Sequence, residues 1–325
     1  MAGYSTNFGR CVQGDSLELL KQLDNNSVDL IITSPPFSLQ RHKSYTNCNE
    51  VCQDEYVDWL LQFGSFAYDK LKKSGSFVID LGGAYQKGSP IRALYPFRFM
   101  LRMCDEIGYK LAQDMYWHNP SALPTPIEWV NKRKMRCKTS VDTVWWFSKD
   151  DMPKSDIKNV LAPYSSRMQD LFDAPEAFIK EEGTIRPSGH VLGRNSWTTN
   201  NGGSIPSNLL QISNSESNSQ YLRYCKVIGI KGHPARFPAK LPEFFIKMLT
   251  DEGDLVIDIF SGSNTTGKVA EDLGRKWLSI DLSNEYVASS SFRFVNNEEQ
   301  ARMIYDEIRQ GRDIVIPGEQ QMRLL

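Results

Sequence analysis

The stretch Val28-Asp29-Leu30-Ile31-Ile32-Thr33 is largely apolar and β-branched, and it stops at Ser34-Pro35-Pro36-Phe37. A run of this kind reads as a strand buried on both faces, which occurs in parallel sheets with helices packed on either side. Pro35 and Pro36 cannot donate to a ladder, so the strand must end in a stiff turn. Similar runs recur at 75–80, 111–117, 139–148, 255–260 and 276–281, and a weaker strand end lies at Val12-Gln13-Gly14-Asp15. Helical spacing fills the gaps at 16–23, 54–72, 90–107, 242–250 and 268–273; in the second, Tyr56, Leu60, Phe63, Ala67 and Leu71 form one stripe. This alternation predicts an α/β fold with a doubly wound, mostly parallel sheet. Such sheets bind ligands at the carboxyl ends of their strands, where Ser34, Asp80 and Asp281 fall. Asp15 joins them if its strand is parallel to that of Ser34.

The alternation breaks at about residue 150. From there to 231 the chain is irregular and rich in Asn, Ser, Gly and Pro, yet Leu209, Leu210, Ile212 and Tyr221 keep it from reading as a linker. The chain therefore divides into 11–149, an insertion at 150–231, the second half of the sheet at 232–295, and a helical tail at 296–325. Residues 1–10 show no pattern and read as a loose terminus. No apolar run approaches a membrane span and no signal-peptide pattern opens the chain. The six cysteines are scattered, so they read as reduced thiols in a cytoplasm, and no second Cys or His pair completes a metal set with Cys48 and Cys52. Net charge is −1, so a polyanion partner would need positive charge concentrated locally. Lys132, Arg133, Lys134, Arg136 and Lys138 are such a concentration, although a solvated surface face explains a charge run equally well. Arg41 and Lys43, in the polar stretch after Phe37, are further candidates for phosphate.

Two stretches carry chemistry. The Ser34-Pro35-Pro36-Phe37 turn offers a hydroxyl, carbonyls and an aromatic face, a set suited to holding the amino group of an extruded base while a ring stacks on it. The second is Asp258-Ile259-Phe260-Ser261-Gly262-Ser263-Asn264-Thr265-Thr266-Gly267, a strand, glycine-rich turn and helix start of the kind that cradles a nucleotide. Asp281 follows Gly262 at about the ~20 residues expected of an acid that bonds ribose hydroxyls. Gly262 to Lys268 also satisfies Gly-x4-Gly-Lys, but Val269 has no hydroxyl to hold Mg²⁺, so a nucleotide hydrolase is rejected. Asn264 breaks the Gly-x-Gly-x-x-Gly of an NAD enzyme.

Together these stretches resemble the DNA amino-methyltransferases of the cytosine-N4 type with β-class motif order, most of all the PvuII-type modification methylases. The turn is similar to the family's catalytic motif, in which Ser with Phe is the variant associated with cytosine N4. The 258–267 loop is similar to its cofactor loop, with Asn264 in place of a glycine and tolerating positive φ. The resemblance implies S-adenosylmethionine as cofactor, bound by Asp15, Lys240, Asp258, Phe260, Gly262, Ser263, Asn264, Thr265 and Asp281. Ser34, Pro35, Pro36 and Phe37 would then be catalytic. The departing proton would go to water or to Asp80, a residue that an inert strand-end carboxylate explains as well. Double-stranded DNA is the implied partner, with target recognition in 150–231 and functional pairing with a restriction endonuclease of the same specificity; CAGCTG is the implied recognition sequence. No metal and no membrane enter this reading. Cytosine-C5 methylation needs a nucleophilic cysteine, usually after proline, and none of the six follows one. Adenine N6 stays open, as does a non-catalytic DNA-binding protein of this fold.

Overall fold

The computed structural model describes residues 1–36, 53–86, 88–174, 184–185, 191–192, 199–215 and 219–317. In chain order the strands are β1 (Gly3–Ser5), β2 (Gly9–Gln13), β3 (Val28–Thr33), β4 (Leu71–Leu81), β5 (Lys110–His118), β6 (Val141–Ser148), β7 (Thr184–Ile185), β8 (Val191–Leu192), β9 (Leu209–Gln211), β10 (Leu255–Asp258), β11 (Lys276–Asp281) and β12 (Asp313–Val315). The helices are α1 (Ser16–Lys21), α2 (Gln53–Lys70), α3 (Tyr95–Arg102), α4 (Ser166–Asp173), α5 (Gln220–Ile228), α6 (Lys240–Leu249), α7 (Thr265–Asp272), α8 (Asn284–Ser290) and α9 (Glu298–Arg309). They form two compact units, Met1–Ser155 with Asn208–Leu325, and Asp156–Ser207.

In the larger unit one sheet runs β12-β1-β2-β11-β10-β3-β4-β6-β5-β9. Every residue of β3 is buried, as its composition requires, and the strand lies between β10 and β4 in parallel register. The strands β2, β11, β10, β3 and β4 are all parallel, so Asp15, Ser34, Asp80 and Asp281 meet at one sheet edge. The mostly parallel α/β sheet is thus as predicted. Among the described residues of this sheet, three strands run against the parallel block: β6 is antiparallel to both β4 and β5, and β1, antiparallel to β2, carries β12 with it. Helix α2 packs Tyr56, Leu60, Phe63 and Ala67 into the core against Phe77, Phe147 and Ile257. Each large apolar side chain buried this way contributes about 1.5–3 kcal/mol.

Three boundaries differ from the sequence reading. Residues 1–10 are not a loose end: β1 pairs with β2 and β12, and Tyr4 is fully buried with its hydroxyl 2.9 Å from Ser290 Oγ. Strands of three residues are too short to show a period, which hid them. The helix predicted over 90–107 begins only at Tyr95, with Pro96 in its first turn, and ends in a π-helical turn over Met103–Ile107. Residues 208–231 belong to the larger unit, with β9 on the sheet edge beside β5 and α5 capped by Ser219. The smaller unit contains α4, capped by Ser165, the β7–β8 pair, and a bridge between Ala162 and Ser204. No helix among the described residues is long and apolar enough to cross a membrane, and no cluster of His, Cys, Asp and Glu among them could hold a metal.

Candidate active site

A cavity of about 510 Å³ opens at the carboxyl edge of the sheet. Ser34, Pro35 and Pro36 line it, as do Asp15, Asp80, Phe260, Gly262, Ser263, Thr265 and Asp281. The catalytic-type turn and the glycine-rich loop therefore share one chamber.

At one end, Ser34 Oγ donates to Asp80 Oδ2 at 3.2 Å. The other carboxyl oxygen of Asp80 is buried and has no hydrogen-bond partner among the described residues. Burial drives the Asp80 carboxyl well above the ordinary range; Asp142, which also lines the cavity, adds to the rise, and the Ser34 hydroxyl opposes it. Burial raises Asp142 as well, against the pull of Arg92. Two acids held close in a dry wall disfavour double ionisation. The Pro36 carbonyl accepts from Tyr56 Oη at 2.9 Å, which ties the turn to α2. Phe37, Arg41 and Lys43 lie outside the described residues.

At the other end, the turn after β10 is shaped by its own side chains. Gly262 has φ +50°, and a Cβ there would come within 2.9 Å of the His233 ring, so no other residue fits without movement. Its N–H donates to Asp281 Oδ2 at 2.9 Å, while Ser283 N–H donates to Oδ1 at 2.8 Å. Burial lifts the Asp281 carboxyl to about 6, against these backbone donors. Asn264 adopts φ +53°, as its substitution for glycine requires, and its amide oxygen accepts from Gly267 N–H at 3.0 Å and Ser279 Oγ at 2.6 Å. Its amide nitrogen donates to Tyr4 Oη at 2.9 Å, so the N-terminal strand anchors the loop. Arg293 completes the clamp, donating to the Ser263 carbonyl at 2.6 Å and to Thr265 Oγ1 at 2.9 Å.

Some expected residues lie behind the lining. Asp258 is 1 % exposed and its oxygens are taken by Thr33 Oγ1 and Thr266 Oγ1, both at 2.7 Å, so it staples β3 to the cofactor-type loop. Asn264, fully buried, caps α7, and Lys240 is exposed at the start of α6; neither lines the cavity. Conversely, Trp59, Phe63, Trp117, Asn119, His233 and Arg236 line it, and nothing in the sequence marks them as site residues. Trp59 and Phe63 form an aromatic wall with Phe260, with centroids 5.6 and 4.8 Å from its ring. The α2 stripe marks Phe63 as apolar, but no local signal distinguishes a lining residue from a core one.

The basic run sits between β5 and β6. Glu128 pairs with Lys132 at 3.2 Å and with Arg133 at 3.0 Å. Arg136 lies over the Tyr85 ring at 4.1 Å and donates to the Pro90 carbonyl. Lys134, at φ +52°, makes no ion pair among the described residues.

Comparison with known proteins places this geometry. The chain is 58% identical over 314 residues, 96% of its length and 92% of the relative's, to the type II methyltransferase M.PvuII of Proteus hauseri. The structure of a PvuII DNA methyltransferase described as cytosine-N4-specific superposes with a TM-score of 0.78 at 53% identity, covering 96% of each chain. An M1.HpyAVI–SAM complex shares the fold, with a TM-score of 0.51 at 19% identity over 88% of this chain and 98% of that one. The profile of the DNA methylase family matches residues 28–292, a span that holds both the catalytic-type turn and the nucleotide-type loop of the cavity, and the chain belongs to that family.

Proposed function

We propose that the protein transfers a methyl group from S-adenosylmethionine to the N4 amino group of a cytosine extruded from double-stranded DNA, as the modification partner of a type II restriction endonuclease. The observation that carries this reading is the Ser34–Asp80 hydrogen bond at the wall of a chamber shared with the glycine-rich loop. The site fits the cofactor on three counts. Gly262 brings bare backbone to the cavity wall against the His233 ring, where a Cβ would clash, Asp281 offers a carboxylate with lone pairs to spare, and Phe260 supplies an apolar face. Asp15, Gly262, Ser263, Thr265 and Asp281 would hold it, with Asp258, Asn264 and Arg293 keeping the loop in shape.

When bound, the cofactor supplies an electrophilic methyl on a sulfonium. The chain's own task is positioning and charge. The cytosine amino nitrogen is a poor nucleophile while its lone pair is delocalised into the ring. Ser34 Oγ, already donating to Asp80, keeps its lone pairs for one amino N–H, and the Pro35 carbonyl takes the other. Drawing both protons out of the ring plane localises the lone pair on nitrogen. Asp80, in its ionised form, receives the proton that the methylated amine sheds, and its raised pKa makes it a competent base. The Asn- and Ser-rich stretch within 150–231 supplies amides and hydroxyls able to read base edges, and Lys132, Arg133 and Lys134 meet phosphate. The setting is the bacterial cytoplasm, where the cell's DNA lies.

The test is single-turnover transfer from labelled cofactor to a duplex containing CAGCTG. Asp80→Asn keeps the side chain's shape and removes the base. It should slow transfer by about 10²-fold or more while leaving cofactor affinity and melting temperature in place. Transfer by Asp80→Asn at the wild-type rate would contradict the assignment.

A further inference from the structure

Asn119 lies just past the end of β5 and lines the same cavity as Ser34. Its backbone is fixed by a 2.8 Å hydrogen bond from its N–H to the Ser140 carbonyl. Its amide oxygen accepts from two backbone N–H groups, Ser121 at 3.1 Å and Asn214 at 3.2 Å. Backbone N–H groups only donate, so the atom facing both must be oxygen, and the orientation of the amide is thereby settled. What Asn119 has left is its NH₂, a pure donor, with no partner among the described residues. Asn214 holds this arrangement from the other side by donating its own amide to the Arg236 carbonyl at 2.8 Å.

The span from Ser34 to Asn119 suits a pyrimidine edge. Between β3 and β5 lie β4 and β6, so three strand spacings, about 14 Å, separate the backbones. Two side chains, two hydrogen bonds of about 2.9 Å each and one cytosine edge cover that distance. Cytosine carries its amino group at one end of the edge and the O2 carbonyl at the other. Adenine has a C–H where cytosine has O2.

We propose that Asn119 is a specificity-determining residue whose amide NH₂, oriented by Ser121 and Asn214, donates to O2 of the extruded cytosine while Ser34 holds the amino group. This inference rests on the proposed function and names what the site reads in its substrate. A base with the amino group but no O2 acceptor would be gripped at one end only.

The test compares single-turnover transfer to a duplex whose target is cytosine with one whose target is 2-thiocytosine, in which sulfur is a poor acceptor. Wild-type protein should prefer cytosine by roughly three- to tenfold, the size of one missing neutral hydrogen bond. Asn119→Ala should treat the two bases alike. Asn119→Asp keeps both accepted backbone bonds but turns the donor into an acceptor, so its transfer to cytosine should fall while its melting temperature stays near wild type. A purely structural role would slow both substrates equally and leave the wild-type preference intact in Asn119→Ala; that result, or a wild type indifferent to the two bases, would overturn the proposal. Absence of any transfer to cytosine by the wild type would instead overturn the proposed function, and this inference with it.

Discussion

Asp281 shows how one carboxylate can both shape a loop and meet a ligand. Two of its roughly four lone-pair sites accept the Gly262 and Ser283 N–H groups, which leaves about two facing the cavity. Burial holds its pKa at about 6, above the ~3.9 of an unfolded chain. The folded protein therefore binds this proton more tightly than the unfolded one. The stability it lends is complete at low pH and is lost as pH rises from the unfolded value through about 6. Ligand hydroxyls act in the opposite sense, because donors favour the ionised form. Cofactor affinity should accordingly strengthen as pH rises through about 6, and Asp281→Asn should bind more weakly with a flat profile. Calorimetric titration from one unit below that value to two above checks this, and a wild-type affinity constant across the range would remove Asp281 from the cofactor site. The acid at this strand end was legible because its spacing from Gly262 is local. Asn119, His233 and Arg293 were not, because each reaches the site from a different strand or loop and long-range packing alone decides where it points.

At the scale of elements, the 128–138 segment separates what charge counting can and cannot tell. Five basic residues within seven are plain in the sequence, and so in principle was Glu128, four residues before Lys132 and five before Arg133. What the count could not show is that Arg136 spends its guanidinium on the Tyr85 ring and the Pro90 carbonyl. The residues then differ in what their replacement should do. Removing Lys132 and Lys134 together should flatten the salt dependence of DNA binding by a slope of roughly 0.9 for each phosphate no longer neutralised, with sequence preference kept. Arg136→Ala should lower the melting temperature and leave the slope unchanged. Binding titrations at several salt concentrations read both effects. A slope unchanged in the double lysine variant would mean that this segment faces solvent rather than phosphate.

For the whole molecule, the sequence pattern carried the sheet because β3, β10 and the 75–81 part of β4 are buried almost throughout and announce it in their composition. It missed β1 and β12, whose pairing is set across the length of the chain, and it placed β6 without its antiparallel direction, because its residues read like those of any buried strand. The catalytic half and the cofactor half, far apart in sequence, meet where β3 pairs with β10, and Asp258, bonded by Thr33 and Thr266, staples the strand ends together there. That staple puts an amino-gripping turn beside a nucleotide loop, so the group methylated there should be the exocyclic amine of cytosine. Digestion of duplex DNA to nucleosides after reaction with methyl-labelled cofactor, followed by mass spectrometry, tests this most directly. Label should appear in N4-methyldeoxycytidine alone; label in N6-methyldeoxyadenosine or 5-methyldeoxycytidine, or none in DNA, would contradict it.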